Sequence, residues 1–171
     1  MTEKVKVSGG TALSEEDIRS GKIFVTEDSL DTAYAWDTGV AINRYLSELK
    51  KGKIIATECR KCNRIMLPPR LFCELCFIPC NEWRYVKDTG TINTYSICHV
   101  HWDASRIKEG EKPHLPAVIE IDGASEGMGI MHILGEVKPE QIEIGMKVQA
   151  VWKPESERTG SITDIKYFKP L

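Results

Sequence analysis

Four cysteines stand in two Cys-x-x-Cys pairs, Cys59-Arg60-Lys61-Cys62 and Cys73-Glu74-Leu75-Cys76, with ten residues between them. A two-residue spacer lets both thiolates of a pair grip one ion. Two such knuckles on neighbouring hairpins complete a tetrahedron of sulfur, the arrangement of a structural Zn2+ site. With every position taken by sulfur no coordination place stays open, so the pattern argues against catalysis by this metal. Its work would be to hold a segment too small to fold alone, by a free energy on the order of 10 kcal/mol.

The other residues of chemical interest form no complete set. Cys80 follows four residues after Cys76 and is not needed by the pairs, and Cys98 reads as a small apolar strand residue. Cys98 and His99 are neighbours on a strand and point to opposite faces, so they make no nucleophile and base. His99 and His101 share a face but lack an obvious third ligand for a second metal. His114 sits in a loop, and His132 lies in the apolar run from Met128 to Leu134 and reads as a hydrogen-bonded strand residue. No phosphate-binding loop, dinucleotide fingerprint or nucleophile elbow occurs. An independent thioester hydrolase lacks its base and oxyanion site here and ranks last among functions.

The elements that must position the cysteines are legible around them. Ser14-Glu15-Glu16-Asp17 opens a short helix with Ser14 as cap and Asp17 answering it. The stretch from Gly21 to Asp37 has no clean period. Ile42, Tyr45, Leu46 and Leu49 then fall at i, i+3, i+4 and i+7, one apolar helical stripe, with Arg44, Glu48, Lys50 and Lys51 off it and Gly52 as a stop. That stripe packs on the chain's own core or docks on a partner. Between the knuckles, Ile65-Met66-Leu67 predicts a short strand and Pro68-Pro69-Arg70 a rigid return. From Trp83 onward the chain reads as β-structure, with strands expected at 91–102, 116–121, 128–134, 147–152 and 161–168. Five strands suit a small Greek-key barrel, and Lys138 to Ile142 would form a helical turn between the third and fourth.

Composition bounds the rest. The chain of 171 residues is 42% hydrophobic and 28% charged, which fits a globular protein of one domain or two small ones. No apolar run approaches a bilayer span, and Met1 to Lys6 is not followed by the apolar core of a secretory signal. A cytoplasmic location is therefore expected, where six cysteines point to metal before disulfides. Net charge is −2, but residues 44–70 carry eight basic side chains against Glu48 and Glu58. A local patch of this size suits a few phosphates better than a long nucleic-acid backbone. Nucleic-acid binding through stacking on Trp83, Tyr85, Tyr95 and Trp102 is the alternative, and the net acidic barrel region counts against it.

The run from Arg44-Tyr45-Leu46 through Lys51-Gly52-Lys53, and the four cysteines around Leu67-Pro68-Pro69-Arg70, resemble a known two-part family. Its members join a helix and a rubredoxin-like zinc ribbon to a C-terminal OB-fold. Gly90-Thr91-Ile92, Leu115 to Ile119, Gly135-Glu136-Val137 and Ile144 to Val148 match phrases of that barrel, so the likeness covers about residues 40–155. It implies a mainly β fold in three parts: 1–52, an N-terminal extension and docking helix; 53–82, the ribbon; and 83–171, a five-stranded OB-fold barrel with a tail. It also implies a role as accessory subunit of acyl-CoA enzymes: thiolases, 3-hydroxy-3-methylglutaryl-CoA synthases and acyl-CoA hydratases. The expected partner is a thiolase-superfamily acyltransferase whose own cysteine carries the acyl group, in a hetero-oligomer without membrane or nucleic acid. This chain would add scaffold and enclosure for a coenzyme A thioester, with Arg60, Lys61, Arg64 and Arg70 as contacts for coenzyme A phosphates.

Overall fold

A computed structural model describes residues 14–26, 33–101, 103–108 and 110–171. The reading of Met1 to Lys6 and the aromatic Trp102 lie outside them. Contacts divide the chain into two units, 1–36 and 37–171. In the first, α1 (Glu15–Arg19) starts at the box foreseen: Ser14 Oγ accepts the Asp17 N–H at 3.2 Å, and Asp17 Oδ2 accepts the Ser14 N–H at 3.2 Å. Among the described residues, no helix is long and apolar enough to cross a membrane.

The second unit begins with α2 (Gly39–Lys50). Tyr45 and Leu49 are buried and Leu46 packs beside them, so most of the stripe is spent on the chain's own core. Ile42, the fourth stripe residue, is exposed together with Val40. Glu48, placed off the stripe by its charge, is buried: its carboxylate accepts the Tyr85 hydroxyl at 3.0 Å and Lys51 Nζ at 2.7 Å. The helix ends in a Schellman turn, with Lys53 N–H donating to Glu48 C=O and Gly52 N–H to Leu49 C=O. Gly52 takes φ +72° there, and a Cβ on it would lie 2.7 Å from Arg158 Nη1.

The ribbon follows. β1 (Ile54–Glu58) is flanked by β2 (Ile65–Met66) and by β5 (Glu82–Val86), while β3 (Phe72–Cys73) and β4 (Ile78–Pro79) make a separate hairpin. β1 is buried from Ile54 to Thr57, which explains its unbroken run, since α2 packs on it. β5 pairs with β1 from Ile54–Val86 to Glu58–Glu82, so the strand containing Trp83 and Tyr85 belongs to the ribbon sheet.

β6 (Thr89–Tyr95), β7 (Pro116–Ile121), β8 (Gly129–Ile133), β9 (Lys147–Trp152) and β10 (Ile165–Pro170) form one antiparallel sheet in the order β10-β9-β6-β7-β8. Its two ends meet in parallel at a Leu134–Phe168 bridge. A 3₁₀ turn at Pro139–Gln141 joins the third and fourth strands. This order, closing pair and turn are those of an OB-fold barrel. Alternation fills the interior: Ala117, Ile119 and Ile121 on β7 are buried, as are Ile92, Ile130, Val148 and Phe168. Gly90 is required where β6 crosses β7, since a Cβ would sit 2.4 Å from Glu120 O.

Two strands differ from expectation. β6 stops at Tyr95 because its partner β7 starts only at Pro116. Beyond it Cys98 pairs with His114 and Val100 with Arg106 through isolated bridges. The last strand starts at Ile165, because Ile162–Asp164 is a 3₁₀ turn whose buried Asp164 carboxylate accepts the N–H groups of Thr159, Gly160 and Ser161 at 2.9, 2.8 and 3.1 Å. Burial raises the pKa of this carboxyl. The three N–H donors outweigh that and hold it below the ordinary value of 3.8.

Candidate metal centre and its surroundings

The two knuckles are built alike. In the first, Cys59 N–H donates to Arg64 C=O at 2.9 Å, Asn63 N–H donates to Cys59 C=O at 2.7 Å, and Asn63 takes φ +58°. In the second, Phe77 N–H donates to Cys73 C=O at 2.9 Å and Phe77 takes φ +54°. The left-handed residue after each second cysteine turns the chain back and leaves both sulfurs of a pair facing inward. Cys59 and Cys73 are fully buried, Cys76 is half-buried and Cys62 is exposed.

All four Sγ atoms lie within 4.8 Å of one another, with Cys62 and Cys73 at 3.7 Å. Zinc–sulfur bonds of about 2.3 Å in a tetrahedron set sulfur–sulfur edges of about 3.8 Å, so the donor set fits Zn2+ in number, type and spacing. The backbone N–H of Cys62, helped by that of Lys61, lowers the Cys59 thiol to about 6, while burial pushes Cys76 up to about 12. Cys80 is outside this group. Its backbone N–H closes the β3–β4 hairpin on Leu71 C=O at 2.9 Å, and burial raises its thiol to about 11.

The four basic candidates separate into two pairs. Arg64 and Arg70 both engage Glu74, Arg70 at 3.1 Å, so their charge is used within the ribbon. Arg60 and Lys61 project from the first knuckle into solvent. His101 does not pair with His99: its Nδ1 lies 3.4 Å from His114 Nε2 and its Nε2 3.6 Å from Glu111. Cys98 lies against the Ser96 hydroxyl at 3.6 Å, and His132 Nε2 meets Ile162 C=O at 3.3 Å. The stacking aromatics are dispersed. Trp83 lies under Arg44 at 4.3 Å, Tyr85 is tied to Glu48, and of the rest only Tyr95 stands on the described barrel.

One feature escaped sequence reasoning. Leu71, Phe72, Leu75 and Phe77, all on or beside the second knuckle, are 44%, 55%, 67% and 80% exposed. Apolar residues packed around the second Cys-x-x-Cys were the available signal, because a hairpin of two-residue strands has no interior to receive them.

A four-thiolate ribbon fused to an OB-fold barrel defines the class. Residues 46–79 match the ChsH2 rubredoxin-like zinc ribbon domain and residues 83–153 the ChsH2 C-terminal OB-fold domain. Over 122 residues the chain is 33% identical to a DUF35 domain-containing scaffold protein of Methanocaldococcus jannaschii, covering 69% of this chain and 82% of that one. The chain belongs to this DUF35 family of ChsH2-type zinc-ribbon and OB-fold proteins. It is also 28% identical over 116 residues to a probable enoyl-CoA hydratase alpha subunit of Thermomonospora curvata, covering 66% of this chain and only 34% of that protein's length. Two solved structures share the fold. A DUF35 protein of unknown function from Sulfolobus solfataricus has TM-score 0.60 at 24% identity, covering 78% of this chain and 87% of that one. A chain of the Ltp2-ChsH2(DUF35) aldolase has TM-score 0.55 at 21% identity, covering 81% and 98%.

Proposed function

We propose that this chain is a non-catalytic, zinc-binding accessory subunit of a thiolase-type acyl-CoA acyltransferase complex in the cytoplasm. Residues 53–82 dock on the enzyme and residues 83–171 help form or cover its acyl-CoA site. The observation that carries the reading is the apolar surface of Leu71, Phe72, Leu75 and Phe77, all exposed on the hairpin that carries the second cysteine pair. Such a patch on a small domain marks a protein partner. One relative is described as a scaffold protein and another as a probable enoyl-CoA hydratase alpha subunit, which supports an accessory role in an acyl-CoA context. Arg60 and Lys61, exposed beside the metal, suit acidic groups at that interface or coenzyme A phosphates, whereas Arg64 and Arg70 serve Glu74.

Affinity purification of the tagged chain from its host, followed by mass spectrometry, tests this. A stoichiometric thiolase-like subunit is expected, and Leu75→Asp with Phe77→Asp should lose it while keeping one zinc per chain. Co-purifying RNA without an enzyme would overturn the reading in favour of nucleic-acid binding.

A further inference from the structure

The two histidines that meet outside the ribbon stand on tied backbone. His114 exchanges two hydrogen bonds with Cys98: Cys98 N–H donates to His114 C=O at 2.9 Å, and His114 N–H donates to Cys98 C=O at 3.1 Å. Three residues beyond Cys98, His101 donates its N–H to Ser105 C=O at 2.8 Å, and its C=O accepts the Ala104 N–H at 3.1 Å. Side chains thirteen positions apart are thereby brought together, ring edge to ring face, at a centroid distance of 5.4 Å. His101 is half-buried and His114 exposed, so an ion reaches both from solvent.

The rings present nitrogens to each other, His101 Nδ1 to His114 Nε2 at 3.4 Å. Which nitrogen of a neutral imidazole is bare depends on what the other one meets. The Glu111 carboxylate lies 3.6 Å from His101 Nε2, and negative charge on that side favours the tautomer protonated there. Nδ1 then aims a lone pair at His114. A carboxylate behind an imidazole whose other nitrogen is bare is the usual setting of a metal-binding histidine.

The spacing selects the ion. A good N–H hydrogen bond spans about 2.7–3.2 Å, shorter than this gap. Zinc–nitrogen bonds of about 2.0–2.1 Å in a tetrahedron set nitrogen–nitrogen edges of about 3.3–3.4 Å. A square-planar ion such as Cu2+ would need neighbouring donors about 2.8 Å apart. Asp103 is not a third donor, because its carboxylate takes the N–H and hydroxyl of Ser105.

We propose that His101 Nδ1 and His114 Nε2 hold a second zinc ion, with Glu111 as the positioning residue behind His101 and two places left to water. The inference is independent of the docking role. Two neutral imidazoles bind more weakly than four thiolates, so this ion exchanges, and gel filtration leaves the ribbon ion alone, one per chain. When bound, it closes a loop between positions 101 and 114.

The test is equilibrium dialysis of the full chain, already carrying its ribbon zinc, against rising Zn2+ at neutral pH, with metal counted per chain. Saturable uptake of a second ion is expected, and nitrogen NMR should show His101 Nδ1 and His114 Nε2 shifting together as it binds. His101→Ala and His114→Ala should each lose the second ion and keep the first, with circular dichroism unchanged. His99→Ala should keep both. Glu111→Gln should weaken the second ion roughly tenfold and, before zinc is added, lower the share of His101 protonated on Nε2. Uptake that stops at one zinc overturns the proposal. So does a second zinc that survives in His101→Ala with His114→Ala, since that ion is bound elsewhere on the surface. Undiminished affinity in Glu111→Gln overturns the positioning role.

Discussion

The ribbon and the barrel reach order by opposite means. The barrel folds around its own interior, with Ile119, Val148, Ile165 and Phe168 each 0% exposed. The outer half of the ribbon has two-residue strands and turns its large apolar side chains to solvent, and its four clustered sulfurs stand at the spacing of a structural zinc site that would hold the hairpin. A region stabilised by metal is free to spend its hydrophobic residues on a surface; one stabilised by a core is not. Removing each support in turn should break one region and spare the other.

The largest effect is expected at the metal. Cys59→Ser or Cys76→Ser should abolish stoichiometric zinc and remove a stabilisation on the order of 10 kcal/mol from the ribbon. Amide exchange should then lose protection at β3 and β4 and keep it at β6, β7 and β9. Retained zinc with unchanged protease resistance would contradict the site. In the barrel the corresponding change is Phe168→Ala, which empties a fully buried ring position and should cost about 3–5 kcal/mol in a denaturant titration. Its zinc stoichiometry should remain one per chain; loss of zinc here would mean that the two supports are not separate.

How much of this was legible in the sequence follows the same division. The knuckles were readable because their ligands are near neighbours with a fixed spacer, and the five barrel strands because runs of β-branched and aromatic residues between turn residues are a local signal. What depended on distant partners was not. Glu48 looked like a solvent residue, since nothing near it announces the Tyr85 hydroxyl 37 positions away that receives it in the core. The pairing of His101 with His114 required the bridge between Cys98 and His114, and strand periodicity suggested His99 instead.

A smaller, pH-dependent effect belongs to the barrel. Asp164 has its carboxyl held below 3.8 by three backbone N–H donors that outweigh its burial. A depressed folded-state pKa gives stability that is present above the unfolded value and lost as pH falls through the folded one. Stability measured by denaturation should therefore drop below about pH 4, and Asp164→Asn should flatten that drop while costing about 1–3 kcal/mol at neutral pH. A ribbon defect has a different signature, since protonated thiols release zinc, so metal content distinguishes the two losses.

The smallest effect concerns the contrast between the two knuckles. Both require a left-handed residue after the second cysteine, at φ +58° for Asn63 and +54° for Phe77. Asparagine tolerates that conformation, whereas for phenylalanine it costs about 1–2 kcal/mol. Phe77→Gly should remove this strain, less the roughly 0.5–1 kcal/mol of extra chain entropy that glycine loses on folding. The expected net change is a stabilisation of a few tenths to about 1 kcal/mol, read from the zinc concentration dependence of folding. The same variant should bind the partner enzyme more weakly, because the ring, 80% exposed, contributes nothing to the ribbon's interior. Stability gained with capture lost would mean that the strain serves the surface. Stability lost would mean that the ring packs on the ribbon itself, and the case for this knuckle as the docking face would fall with it.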